Sequence, residues 1–511
     1  MTAEKFLLPW RHALVFETTY EDRSDVFSDL VHEQSWQLHP CQKELFLNGS
    51  LITFMNPADG QGVVWFREAP TRFVRQWDTE ALLSVRYVEG KWLAIPGLTA
   101  VDYDTHRISF SGGLAGRTKA LHEWQSRRHP SSPKRDGLLL TNTWGDRSRA
   151  DRLNEDFILQ EIERAAAWGV EILQIDDGWQ KGRTVNTSED GVWNDFWSVA
   201  DDYWSPDPKR FPRGLSHIIE NAQLLGLQIG LWYAPDSSGD LQHWKRDAEV
   251  IIDLWKNLGV RHFKLDGVKL HTPLAEKRFR QLIYRLIDVS DEEILIDLDT
   301  TDENRLGFWG QVKGTAVFVE NRYTDWGTYY PHSTLRALWM LSSTVSPRRL
   351  RMEFLNPFRN EESYDKDPLR PSKYTPDYLF ASVMLSSPLG WFENTGLPQH
   401  MLETLVPLVS VWLQHRSRLH DAIVYPIGAC PDGYSWTGFA IANHLETHVY
   451  LLLFRETTKD SSCTFEIPRT ITIPRSWNAL AGGDGSATST DNLVNVSLSE
   501  ERSFLFLEGL H

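Results

Sequence analysis

Cysteine is scarce in this chain. The three that occur, Cys41, Cys430 and Cys463, lie far apart and are odd in number. That excludes a disulfide framework and the paired spacing of a zinc site. Long hydrophobic runs are missing too. No apolar stretch reaches the roughly 18 residues of a spanning helix. Met1 to Phe6 lacks the basic start and long apolar core of a secretory leader. A reducing cytoplasm is the expected location, with no membrane partner. Basic residues are in deficit: 53 Lys and Arg stand against 69 Asp and Glu, a formal net charge of −16. That argues against nucleic acid and favours a neutral or cationic ligand. No Gly-rich phosphate loop follows the first predicted barrel strand. His262, His271 and His332 are scattered, so no metal is implied and no cofactor is expected.

The composition is otherwise globular, 41% hydrophobic and 24% charged over 511 residues. Such a length suggests two to four domains. Tryptophan is in excess: 22 residues, beside 15 Tyr and 24 Phe. Large aromatic cores account for many of them. Aromatic faces also pack on the C–H faces of a pyranose ring, while carboxylates and amides meet its hydroxyls.

Residues 1–135 read as a β-sandwich. Leu45–Leu47, Leu51–Phe54, Val63–Phe66 and Leu82–Val88 are short runs with turn signals around them, such as Asn48-Gly49 and Asp59-Gly60. Arg117 to His129 is a helical exit, and Ser131-Ser132-Pro133 marks the boundary. From 136 to 420, strands alternate with helices. The predicted strands are Gly137–Trp144, the run ending in Asp176-Asp177, Leu227–Pro235, the run ending in Lys264-Leu265-Asp266, Glu293–Asp299, Ala316–Asn321, Leu350–Leu355 and Leu389–Asn394. Helices predicted between them stop at glycines such as Gly169, Gly226 and Gly259. Eight such units fit one central (β/α)8 TIM barrel. The insert from Gln180 to Arg210 holds Trp193, Trp197, Tyr203 and Trp204, and reads as a wall of a site. Residues 421–511 return to alternation, a small C-terminal β-domain. Within it, Gly482 to Thr490 reads as a surface loop.

Nine charged or aromatic residues fall at predicted strand C-termini: Trp144, Asp176, Asp177, Trp179, Trp232, Lys264, Asp266, Asp299 and Glu320. One alone would be a helix cap or a core residue. Together they share the rim where barrel chemistry occurs. Glycoside hydrolysis is the chemistry that uses many carboxylates without a metal or phosphate loop. It needs one carboxylate as nucleophile and a second as general acid/base. Asp266 is the expected nucleophile. Lys264, two residues earlier on the same strand face, would help keep it ionised. Asp176 and Asp177 are adjacent, which suits holding hydroxyls better than acid/base work.

Ile175-Asp176-Asp177-Gly178-Trp179 followed by Lys264-Leu265-Asp266 resembles the pattern of glycoside hydrolase family 36, the α-galactosidases and raffinose-synthase-like proteins. The resemblance covers the barrel and extends to the β-domains on either side. It implies a retaining double displacement with Asp266 as nucleophile. It also implies that Asp176, Asp177 and Lys264 contact sugar hydroxyls, with Trp144 as the strand-one aromatic and Gly230-Leu231-Trp232 as the strand-three motif. The chain departs from the family in two places. At the end of strand five, Asp299 through Arg305 replaces a Cys-Ser-glycine stretch, and only Arg305 matches. At strand six, aligning Asn321 on the family's Asn puts Glu320 in the acid/base place, with Asp325 and Asp302 as alternatives. The expected substrate is a small oligosaccharide or glycoside, most simply an α-galactoside. Another sugar, transglycosylation, or a sugar-binding protein without catalysis are the other readings. Homo-oligomerisation stays open.

Overall fold

The computed structural model describes residues 4–510 apart from 22–27, 42–43, 71–76, 78–80, 147–149, 300–305, 311–314, 320–321 and 444–446. Eight short parallel strands close into a barrel. They are β1 (Leu140–Asn142), β2 (Ile172–Ile175), β3 (Gln228–Tyr233), β4 (His262–Leu265), β5 (Leu295–Leu298), β6 (Thr315–Phe318), β7 (Leu350–Phe354) and β8 (Ser387–Gly390). Each pairs with the next, and Leu140 of β1 pairs with Leu389 of β8 to shut the ring.

Alternate residues along these strands face opposite ways. Leu173, Ile175, Phe263, Leu265, Ile296 and Leu298 join one large core with the surrounding helices. Each such side chain, fully buried, contributes roughly 1.5–3 kcal/mol. Leu140, Ile172, Leu295, Phe318 and Leu389 fall instead into a separate cluster inside the ring. The helices start on side-chain caps. Asn154 accepts from the Phe157 N–H at 2.9 Å, and Thr272 from the Ala275 N–H at 3.1 Å. Gly259 closes Trp244–Leu258 in the left-handed conformation, φ 75°.

The strands are mostly shorter than the sequence expectation, and two differ most. β1 is three residues long rather than eight, and β8 ends at Gly390 rather than Asn394. Past Gly390 the chain stays apolar because Trp391 fills the barrel mouth, while Asn394–Gly396 is already a 3-10 turn. Apolarity there marks the mouth, not the strand.

Before the barrel lie a five-stranded and a four-stranded antiparallel sheet with a shared core that includes Val15, Ile52, Phe54, Trp65, Val85 and Trp92. The helix Gly113–Arg128 leads out of them, and Gln125 and Thr118 donate to the Thr344 and Ser343 carbonyls of the barrel. After the barrel come a five-stranded and a three-stranded sheet. The expected surface loop at Gly482–Thr490 is largely a strand, Gly485–Thr490, paired with Leu493–Leu498. Its alternating small and β-branched residues suit an edge, and Asp491 takes the positive φ, 54°, of the tight turn. Among the described residues, no helix is long and apolar enough to cross a membrane.

The lower half of the barrel interior is polar. Asn142 Nδ2 donates to Gln174 Oε1 at 2.5 Å, and Gln174 Nε2 bonds His262 Nδ1 at 3.1 Å. His262 Nε2 lies 3.2 Å from Asp297 Oδ2, and Arg351 Nε bonds the same oxygen at 2.9 Å. Gly230 sits between Gln174 and His262 in the sheet register. A Cβ on Gly230 would lie 3.0 Å from His262 Nδ1, so the cross-strand bond needs glycine there. Gly230→Ala should therefore lower stability by about 1–3 kcal/mol in urea unfolding, as overpacking of a filled interior does. Unchanged stability would show that the His262 contact does not constrain this position.

Candidate active site

The C-terminal ends of β2, β4 and β5 converge on one ammonium group. Lys264 Nζ is 3.1 Å from Asp176 Oδ2, 2.9 Å from Asp299 Oδ2 and 3.9 Å from Asp266 Oδ2. Its fourth side is aromatic, with the Trp391 ring centroid 4.8 Å away and Phe318 at 5.6 Å. Burial alone would lower the Lys264 pKa. Asp176, Asp299 and Asp266 win, and raise it well above the ordinary lysine value.

The three carboxylates are not alike. Asp176 is fully engaged: Oδ2 also accepts from Asn142 Nδ2 at 2.7 Å, and Oδ1 from the Asp177 N–H at 2.8 Å. Asp299 is equally buried. Asp266 accepts from Trp232 Nε1 at 2.8 Å and from the Gly267 N–H at 2.6 Å. Its side chain is 19% exposed, against 4% for Asp176 and 3% for Asp299. Asp266 is thus the carboxylate of the group that a ligand can reach. Burial, and next the charge of Asp299, push its pKa well above the usual carboxylate range.

Asp177 points toward the insert. Gln180 Nε2 donates to it at 2.8 Å and the Thr184 hydroxyl to its other oxygen. Burial pushes its pKa up to about 6. The insert does form a wall. Trp204 packs at 4.0 Å, centroid to centroid, on Tyr233 and at 5.8 Å on Trp232. Trp193 lies 6.3 Å from Trp232 and so near Gly267 that a Cβ there would come within 2.9 Å of its ring. Trp197 Nε1 ties the same loop to Asp247 at 3.1 Å.

Trp179 departs from its expected place. It is completely buried and donates to the Trp232 carbonyl at 2.8 Å. The reason is local: Gly178, at φ 113°, turns the chain away, packed against Ala150 and Arg210. Trp179 props Trp232 from behind and presents no surface to a ligand. Trp232 itself is almost wholly buried and meets the site through its N–H on Asp266. Trp144 lies inside the mouth beside Trp391, Phe318 and Tyr323. Glu320, Arg305 and Asp302 lie outside the described residues. Asp325 is exposed on the turn after β6.

The sequence reading missed Asn142, which binds Asp176, and the aromatic series rising from Lys264. From Trp391 the series continues to Tyr323 at 6.1 Å, and from Tyr323 to Trp326 at 4.8 Å. The signal for Asn142 and Trp391 was available, since both have the inward parity of strand-end residues.

Residues 103–257 match the Melibiase family model. That span holds Asp176, Asp177 and Trp232, and ends before Lys264. An α-galactosidase of Escherichia coli is 32% identical over 161 residues, 30% of this chain and 21% of that protein. A probable α-galactosidase C of Aspergillus terreus is 27% identical over 212 residues, 37% of this chain and 27% of that one. The GH36 α-galactosidase AgaA of Geobacillus stearothermophilus superposes with a TM-score of 0.68 over 100% of this chain and 76% of its own, at 12% identity. Residues 103–257 thus resemble the melibiases, and the barrel as a whole shares the fold of AgaA. Its matches span about a quarter of the length of those curated relatives. A variant of the Geobacillus enzyme has been solved in complex with raffinose.

At the mouth of this barrel one ammonium offsets three carboxylates. Lys264→Met removes the only cation of the group among the described residues, and the already raised Asp266 pKa then rises further. In the variant, stability is kept where Asp266 is protonated and lost as pH climbs through its raised value. Urea unfolding should show a loss of about 3–5 kcal/mol at pH 7, with a smaller deficit near pH 4. A deficit that stays constant across that range would mean the charges are not coupled.

Proposed function

We propose that this protein is a retaining exo-α-glycosidase, acting on terminal α-galactosides of small oligosaccharides. The observation that carries the reading is the placement of Asp266: the most exposed carboxylate around Lys264, at the end of β4, gripped by Trp232 and Gly267. In the proposed reaction Asp266 attacks the anomeric carbon. A carboxyl at the end of β6, assigned to Glu320, protonates the leaving oxygen. Water then hydrolyses the glycosyl-enzyme with the second carboxyl as base. Asp176, Lys264 and Asp299 hold sugar hydroxyls, with Asp177 setting the position of Asp176 through its N–H. Trp144 and Arg305 complete the sugar pocket. Residues 136–420 are the catalytic unit in this reading, flanked by 1–135 and 421–511. The three unpaired cysteines suit a reducing cytoplasm, which fractionation of the source cells would check.

Wild-type protein should hydrolyse an aryl α-galactoside and release the α-anomer first, seen by NMR. Asp266→Asn should lose several orders of magnitude in kcat while its far-UV spectrum and unfolding midpoint stay near wild type. An inverted first product, or ordinary turnover in the variant, would end this reading. Asp299 is the neighbouring charge that most raises the Asp266 pKa. Asp299→Asn should accordingly move the acid limb of the kcat/KM profile to lower pH, because the nucleophile must be ionised.

Trp326 is 49% exposed at the top of the aromatic series. It is suited to stack on the sugar beyond the scissile bond. Trp326→Ala should raise KM for a trisaccharide such as raffinose and leave aryl galactoside kinetics nearly unchanged. Equal effects on both substrates would remove it from that role.

A second reading keeps the chemistry and changes the sugar. It rests on Asp299, an additional buried acid at the strand-five end that pairs with Lys264. A panel of aryl α-glycosides separates the two.

A further inference from the structure

We infer that Gln174 and His262, buried below the Lys264 group, are positioning residues that aim Asp176 through a row of hydrogen bonds of fixed direction, with the His262 proton on Nε2. The effect on turnover rests on the proposed role of Asp176 in holding sugar hydroxyls; the place of the proton does not.

The direction is set at the top of the row. The Trp144 backbone N–H, 2.7 Å from Asn142 Oδ1, can only donate. It decides which end of the Asn142 amide is oxygen. The other end, Nδ2, carries two hydrogens and meets two acceptors, Asp176 Oδ2 at 2.7 Å and Gln174 Oε1 at 2.5 Å. Gln174 therefore turns its oxygen to Asn142 and its nitrogen to His262. Gln174 Nε2 donates to His262 Nδ1 at 3.1 Å. An imidazole nitrogen that accepts carries no proton, so the ring's proton is on Nε2. That side faces Asp297 Oδ2 at 3.2 Å, an attraction without the alignment of a full hydrogen bond. Arg351 holds both oxygens of Asp297, at 2.9 and 3.3 Å, so this carboxylate can only accept.

Reversing any member fails. A flipped Gln174 would set its NH2 against that of Asn142, and a proton on His262 Nδ1 would point at the Gln174 NH2. Asn142, Gln174 and His262 are each at most 2% exposed. A donor left facing a donor there costs about 1–3 kcal/mol. The row runs from β1 through β2 to β4, and passes β3 at Gly230, which has no side chain to block it. Asp176 depends on this support. Lys264 is shared with Asp299 and Asp266, so the ammonium alone does not decide where Asp176 Oδ2 stands. The Asn142 amide does, and Gln174 and His262 hold that amide in line.

The test has a structural and a kinetic arm. Neutron diffraction from deuterated wild-type crystals at pH 7 should show a deuteron on His262 Nε2, none on Nδ1, and the Gln174 amide nitrogen facing the ring. A deuteron on Nδ1 would overturn the inference, whatever the protein hydrolyses. In the kinetic arm, His262→Leu removes the acceptor for Gln174, while His262→Gln offers an oxygen to Gln174 and an NH2 to Asp297. Gln174→Met breaks the row at its middle with little change of volume. The Leu and Met variants should raise KM for an aryl α-galactoside roughly five- to tenfold with a smaller change in kcat, and His262→Gln should recover most of the loss. Wild-type KM in the Leu and Met variants, or a loss in His262→Gln as large as in His262→Leu, would remove His262 from this role. Absence of turnover in the wild type would count against the proposed function, and the neutron map would still decide the row.

Discussion

One buried ammonium holds this molecule's chemistry together. Three strand ends bring carboxylates within 4 Å of Lys264. Each attracts the ammonium by about 4 kcal/mol at an effective dielectric near 20, while the carboxylates repel one another. Without Lys264, bringing the ends of β2, β4 and β5 together would oppose itself. With it, the same contacts fix strand register at the mouth. Barrel closure and the candidate catalytic geometry are therefore one electrostatic problem with one solution. The aromatic side of Lys264, Trp391 and Phe318, keeps water from replacing the carboxylates.

The barrel was legible in the sequence because its strands are short apolar runs between glycine-stopped helices, each breaking into charge at one end. Asp176, Lys264, Asp266 and Asp299 stand on predicted strand ends, and the structure brings all four together. What stayed hidden has physical reasons. Strand ends were misplaced at β1 and β8 because residues lining a mouth are as apolar as those in a strand. Trp179 looked like part of the site because sequence position cannot show that Gly178 reverses the chain. The Gln174–His262–Asp297–Arg351 layer was invisible because its members are far apart in sequence and unremarkable singly. The strand at Gly485–Thr490 was concealed by a glycine-rich, polar composition that also describes loops.

The insert after β2 shows how a peripheral loop becomes part of the interior. Its Trp204 lies on Tyr233, its Trp197 bonds Asp247, and its Thr184 and Gln180 secure Asp177. The loop thus shapes the mouth and also takes up a carboxylate that would otherwise add a fourth charge around Lys264.

Gly230 sits at the crossing of these constraints, and its consequence reaches into the chain's sequence history. The apolar outer face of the barrel tolerates exchange of one hydrophobe for another at small cost. The inner face does not, because a glycine, an amide, an imidazole, a carboxylate and a guanidinium interlock as a set. A chain built this way can drift widely on its helices and outer strand positions and still superpose on a relative at 12% identity. Its inner positions can change only in concert. Divergence within such a lineage is channelled to the rim, where Trp326 stands half exposed.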